Sequence, residues 1–150
     1  KELAGFCKRA ADAHAEIAKE RADGRLPFMD LPYKSRDAAA IVSYADGVAG
    51  KFENFVVLGI GGSALGAIAL QTALNPAYYN LMPAKARGGR PRIFVEDNVE
   101  PDRIANLLEV IDPAKTLFNV ITKAGGTAET MSALMIVRDL VAKKLGASKI

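Results

Sequence analysis

Cysteine and histidine each occur only once in this chain, at Cys7 and His14. A single cysteine excludes an intrachain disulfide and fits a reducing compartment, with the cytoplasm as the expected location. His14 has no acidic or cysteine partner at metal-ligand spacing, so it reads as a half-exposed surface residue and no metal site is expected. Cys7 reads as a small core residue, not a nucleophile. No apolar run approaches the length of a membrane span, and no charged, apolar, small-residue pattern opens the chain as a secretion signal would. An excess of one charge is lacking too: 20 Lys and Arg face 17 Asp and Glu, a formal charge of +3, with no dense basic block. That gives no reason to expect nucleic acid as a partner. Internal repeats and low-complexity segments are absent, and a first residue of Lys1 instead of Met suggests that something has been removed ahead of it.

The 150 residues are half apolar, enough for one domain with a real core and short for most two-domain enzymes. The most informative stretch is Phe55-Val56-Val57-Leu58-Gly59-Ile60-Gly61-Gly62-Ser63-Ala64-Leu65-Gly66. A short run rich in β-branched residues, then glycines, then helix formers, reads as a buried parallel strand, a tight turn and the first turn of a helix. Glycines let the backbone approach a ligand closely, so the amides that open the helix can face an anion. Ser63 stands where a hydroxyl can join them.

In chain order, apolar residues from Lys1 to about Asp23 recur at helical spacing and predict an amphipathic helix ended near Gly24. The prolines of Leu26-Pro27-Phe28-Met29-Asp30-Leu31-Pro32-Tyr33 predict an extended connector laid against the domain. Ser35 is expected to cap a helix from Arg36 to Val48, stopped by Gly50. Residues 1–50 thus form an N-terminal helical segment, expected to pack on a domain made of residues 51–150. After the glycine turn, Ala64 to Leu74 predicts a helix so apolar that it should be buried, and Asn75-Pro76 ends it. Residues 77–91 read as an exposed irregular excursion. Arg92 to Asp97 is a second strand, Glu100 to Ile111 a helix, and Thr116 to Thr122 a third strand. Another glycine turn, Lys123-Ala124-Gly125-Gly126-Thr127, precedes a helix from Ala128 to Leu145 closed by Gly146.

This alternation predicts an α/β fold: a parallel sheet flanked by helices on both faces, a three-layer Rossmann-like sandwich. Lys149-Ile150 looks like the opening of a fourth strand, so the sheet is expected to be incomplete at the C-terminus. Both glycine turns fall at the carboxyl ends of strands, where open parallel sheets form their ligand crevice.

Gly59-Ile60-Gly61-Gly62-Ser63-Ala64 formally fits the dinucleotide fingerprint G-x-G-x-x-A, yet the nearest strand-end acids, Glu96 and Asp97, come well beyond the usual twenty-residue interval. No Gly-Lys-Ser/Thr follows, so a P-loop is excluded. The second turn adds Thr122 and Thr127 hydroxyls, the Lys123 cation and the bare amides of Gly125 and Gly126 at a helix N-terminus. A phosphate monoester, doubly charged and rich in acceptor oxygens, suits that mixture. The plainer alternative is that Thr127 caps the helix and the glycines turn the chain.

Together, Gly59 to Gly66 and Asn119-Val120-Ile121-Thr122-Lys123-Ala124-Gly125-Gly126-Thr127-Ala128-Glu129-Thr130 resemble the first sugar isomerase (SIS) domain of the glucose-6-phosphate isomerase family, in its bacterial form. The resemblance runs over nearly the whole chain. It implies reversible conversion of glucose 6-phosphate to fructose 6-phosphate in glycolysis and gluconeogenesis through a cis-enediol, with no metal or organic cofactor, in a full-length protein that is usually a homodimer. It also implies that Ser63, Thr122 and Thr127 donate hydroxyls to the substrate phosphate, and that Gly62, Lys123, Ala124, Gly125 and Gly126 line its pocket.

Two departures stand out. Ala124 replaces the serine or threonine that the family usually carries in this loop. The family's catalytic glutamate, ring-opening histidine, lysine and arginine are expected downstream of Ile150, so no catalytic residue is assigned here, and the chain alone is expected to be inactive. Glu129 sits in a first helical turn, where a carboxylate is stabilising in any case. A stand-alone sugar-phosphate-binding module and a dinucleotide-binding domain remain as alternatives.

Overall fold

The computed structural model describes residues 2–147, so the fourth strand expected at Lys149-Ile150 lies outside the described residues. The chain divides into two compact units, Lys1–Gly47 and Val48–Ile150.

The first unit holds helix α1 (Glu2–Ala22), a 3₁₀ segment (Pro27–Tyr33) and helix α2 (Ser35–Val48). Gly24 ends α1 with φ +73°, and the Arg25 amide reaches back to the Glu20 carbonyl while Gly24 donates to Arg21. That is a Schellman closure, which satisfies carbonyls the helix would otherwise leave open. The connector is a 3₁₀ segment, not extended chain, because the proline φ near −65° suits both conformations. Ser35 is the first helical residue instead of the cap; the Lys34 carbonyl accepts from Asp37 and Ala38. No described residue of this unit is buried. Cys7 is exposed, which corrects its reading as a core residue: helical periodicity identifies an apolar face but not a neighbour to cover it.

The second unit is built on three parallel strands, β1 (Asn54–Leu58), β2 (Arg92–Glu96) and β3 (Thr116–Val120), in the order β2-β1-β3. Helix α3 (Gly62–Leu74) connects β1 to β2, α4 (Pro101–Val110) connects β2 to β3, and α5 (Ala128–Leu145) follows β3. Alternation along β1 sends Val56 and Leu58 to one face, where they pack with Ile104, Leu107 and Ile111 of the α4 region and Ala133 and Val137 of α5. Helix α3 covers β1 and β2 on the other face, where Val57 and Ala64 are buried. The fold is therefore α/β with helices on both faces of a parallel sheet.

Two polar clasps hold the sheet. At its amino edge Asn54, fully buried, donates to Thr116 Oγ1 at 3.1 Å and accepts from Arg92 Nε at 2.8 Å, linking the first residues of all three strands. The stretch 77–91 is anchored, not a free excursion. Asn80, in a 3₁₀ turn (Tyr79–Leu81), accepts from the Ile93 amide at 2.8 Å and donates to its carbonyl at 2.6 Å. A side-chain amide thus pairs with the outer edge of β2 as a neighbouring strand would. Tyr79 is buried beneath the same turn.

Helix α3 departs from expectation. Of its residues only Ala64 is buried, and Leu65, Leu70 and Leu74 are exposed. A helix that is apolar all round needs cover on every side, and within this unit the sheet supplies one.

Candidate functional site

The order β2-β1-β3 means that the chain leaves β1 toward one side and returns past it to the other. Ligands of open parallel sheets bind where that reversal occurs, at the carboxyl ends of the two strands involved. Here those strands are β1 and β3, paired in register to Leu58 and Val120, and they feed the two glycine turns. The Ile121 amide extends the pairing to the Leu58 carbonyl at 2.9 Å.

Gly59 is buried at this junction. A Cβ placed on it would lie 3.0 Å from the Ser63 carbonyl oxygen and 3.2 Å from that of Ile121. Only a residue without a side chain lets the first turn pass so close to the start of α3 and the end of β3. Gly61 then takes φ +55° and ψ −123° as the residue before α3, a conformation that L side chains rarely adopt. The Ser63 amide is occupied by the Ile60 carbonyl at 3.1 Å. Gly61 and Gly62 are exposed, and their amides have no acceptor among the described residues. An anion at this helix start would therefore meet the Gly61 and Gly62 amides and the half-buried Ser63 hydroxyl.

In the second turn Thr122 and Thr127 face each other, hydroxyl oxygens 3.5 Å apart. Thr122 Oγ1 also accepts from the Gly125 amide at 3.2 Å. Thr127 occupies the N-cap position of α5, yet its side chain makes no capping hydrogen bond. The plainer reading of Thr127 as a helix cap therefore finds no support in its contacts. Lys123, Ala124, Gly125 and Gly126 are exposed. The amides from Gly126 to Thr130 have no acceptor among the described residues, and together with the α5 dipole they make this end electropositive.

The acids at the end of β2 behave differently from a ribose ligand. Glu96 is buried and lies 3.0 Å from Arg103 Nε, while Arg103 also contacts Asp97 at 2.9 Å and donates to the Val95 carbonyl at 2.7 Å. Burial pushes the Glu96 carboxyl above the ordinary glutamate range, against the pull of Arg103 and with a further push from Asp97. In the sequence, Glu96 and Asp97 stand out only as misplaced dinucleotide acids. They line a small cavity with Gly59, Ile60, Asn98, Glu129, Thr130 and Ala133, which no spacing rule could have assembled. Among the described residues no group of His, Cys, Asp and Glu is placed to hold a metal ion, and no helix is long and apolar enough to cross a membrane.

The family described as Phosphoglucose isomerase matches residues 38–150. A glucose-6-phosphate isomerase of Carboxydothermus hydrogenoformans is 47% identical over 146 residues, covering 97% of this chain and 31% of that protein. Another, from Rubrobacter xylanophilus, is 42% identical over 120 residues, 79% of this chain and 27% of the relative. Among solved structures, a hypothetical protein of Thermus thermophilus superposes with a TM-score of 0.75 at 33% identity, over 91% of this chain and 30% of that one. A glucose-6-phosphate isomerase from Chlamydia trachomatis gives a TM-score of 0.61 at 29% identity, over 74% of this chain and 20% of that one. The chain thus spans about a third or less of the relatives it matches.

Proposed function

The chain belongs to the phosphoglucose isomerase family, and on that premise we propose that it supplies the phosphate-binding loops of an enzyme that interconverts glucose 6-phosphate and fructose 6-phosphate. The observation that carries the reading is the meeting of two glycine turns at the ends of neighbouring strands β1 and β3, one with open helix-start amides and the other with paired hydroxyls. The phosphate takes hydrogen bonds from Ser63, Thr122 and Thr127, with Gly62, Ala124, Gly125 and Gly126 shaping the loops and Lys123 adding charge. Such charge-assisted bonds are the strong ones.

Chemistry is a separate matter. Moving a proton between adjacent carbons needs a positioned base, worth on the order of a hundred- to ten-thousandfold in rate, and this chain's own residues provide an anchor for the substrate, not that base. The complete enzyme is a cytoplasmic homodimer that uses neither a metal nor an organic cofactor.

The test is an amide NMR titration of the chain with glucose 6-phosphate, with glucose as control, alongside an isomerisation assay. Shifts confined to Gly61–Leu65 and Thr122–Thr127, without turnover, support the reading. Silence at millimolar ligand overturns the anchor, and turnover by the pure chain overturns the division of labour.

A further inference from the structure

The cavity between the ends of β1 and β2 and the first turn of α5 has a volume of about 10 Å³, close to the least that admits the centre of one water molecule. Thr130 is only 3% exposed and its Oγ1 has no protein partner. Glu96 is 7% exposed, and its Oε2 touches Arg103 in an ion pair that is not aligned as a hydrogen bond. Leaving a buried hydroxyl unpaired is costly, and although much of the cavity wall is apolar, Thr130 Oγ1 and Glu96 Oε2 are the two partnerless polar atoms on it, the least that a bridging water needs.

We propose that this cavity holds one ordered water that bridges Thr130 Oγ1 to the Glu96 carboxyl, making both residues positioning residues for the first turn of α5. Glu96 ends β2, and α5 begins where the second glycine turn finishes. The bridge therefore fixes Thr127 and the open amides that follow it, relative to the sheet. The acidic residues Asp97 and Glu129 are also among those that line the cavity, which raises a monovalent cation as the competing occupant. Water is favoured because the amides of the α5 N-terminus bring positive potential to the same place. The consequence for phosphate binding rests on the function proposed above; the bridge itself does not.

The test compares the wild-type chain with Thr130→Val and Thr130→Ser in high-resolution crystal structures and by amide hydrogen exchange. The wild type should show one water within hydrogen-bond distance of both groups, in sodium and in potassium salts alike. Thr130→Val should lose it and speed exchange of the Met131 amide at least tenfold, and Thr130→Ser should restore both. Absence of density in the wild type, or density that changes with the cation, overturns the water. A water lost in Thr130→Val without faster exchange overturns the positioning role. If the wild type shows the water but ignores glucose 6-phosphate, the function fails and the bridge stands.

Discussion

Thr122 and Thr127 hold their hydroxyl oxygens 3.5 Å apart at the mouth of α5, and only that of Thr122 is engaged by the backbone. A threonine at an N-cap position that makes no capping bond can turn its hydroxyl from the long contact with Thr122 toward a ligand. Thr127→Val should weaken binding of glucose 6-phosphate by roughly ten- to a hundredfold, the worth of about 1.5 to 3 kcal/mol for a hydrogen bond to a charged group. Folding stability should stay nearly unchanged, since no cap is lost. A titration showing equal affinity, or a large drop in melting temperature, would contradict this assignment.

Ala124 lies exposed in the same turn, where a serine would add a hydroxyl to the proposed phosphate site. Ala124→Ser should tighten phosphate binding, by up to the same ten- to hundredfold range. Calorimetry with glucose 6-phosphate decides it, and unchanged affinity would mean that position 124 does not face the anion.

Gly59 and Gly66 form a matched pair of tests. At Gly59 a Cβ would meet two backbone carbonyl oxygens at 3.0 and 3.2 Å, whereas at Gly66 it would meet nothing within 4 Å. Backbone cannot step aside as a side chain can, so Gly59→Ala should cost on the order of 1 to 3 kcal/mol or more. Gly66→Ala, inside α3, should stabilise by about 0.5 to 1 kcal/mol through helix propensity. Urea unfolding measures both, and a neutral Gly59→Ala would show that β1 and β3 are less closely joined there.

What could be read from sequence was whatever is encoded locally. Phe55 to Leu58 announced a buried strand by β-branching, Gly146 closed α5 where expected, and the helix expected from Glu100 to Ile111 falls within one residue of α4 at each end. Pairing across long separations was not legible. Asn54 joins Arg92 and Thr116, 38 and 62 residues away, and nothing near it in sequence distinguishes it from a turn residue. Asn80 misled for the same reason, since asparagine among prolines and glycines reads as loop. Helix α3 failed in the opposite way: its composition correctly reports apolar surface, but composition does not say what covers that surface. At the site, both turns were legible from their glycines, while the buried Glu96 beside Thr130 emerged only from the sheet order.

The Asn80 clasp makes its own prediction. Asn80→Ala removes two hydrogen bonds to Ile93 and reopens the outer edge of β2, so it should destabilise by about 1 to 3 kcal/mol. An unguarded edge strand also invites pairing between molecules, and light scattering should report faster aggregation on heating. Unaltered stability would show that solvent replaces the clasp without cost.

Glu96 sets a pH dependence opposite to that of most carboxylates. Its carboxyl is raised by burial, opposed by Arg103 and reinforced by Asp97, with Glu129 facing the same cavity. The folded chain therefore holds this proton more tightly than the unfolded chain does. Its stabilising contribution is full below the ordinary glutamate value of about 4.3 and declines as pH rises through the raised folded value. Asp112 runs the other way: its hydrogen bonds with Lys144 and the Ala114 amide lower it, so its contribution is present above the ordinary aspartate range and fades as pH falls. Comparing wild type with Glu96→Gln cancels Asp112 and isolates Glu96. The wild type's stability relative to that variant should be greatest in acid and shrink toward neutral pH. If it grows instead, attraction by Arg103 outweighs burial, and the carboxyl is held as the anion in an ion pair.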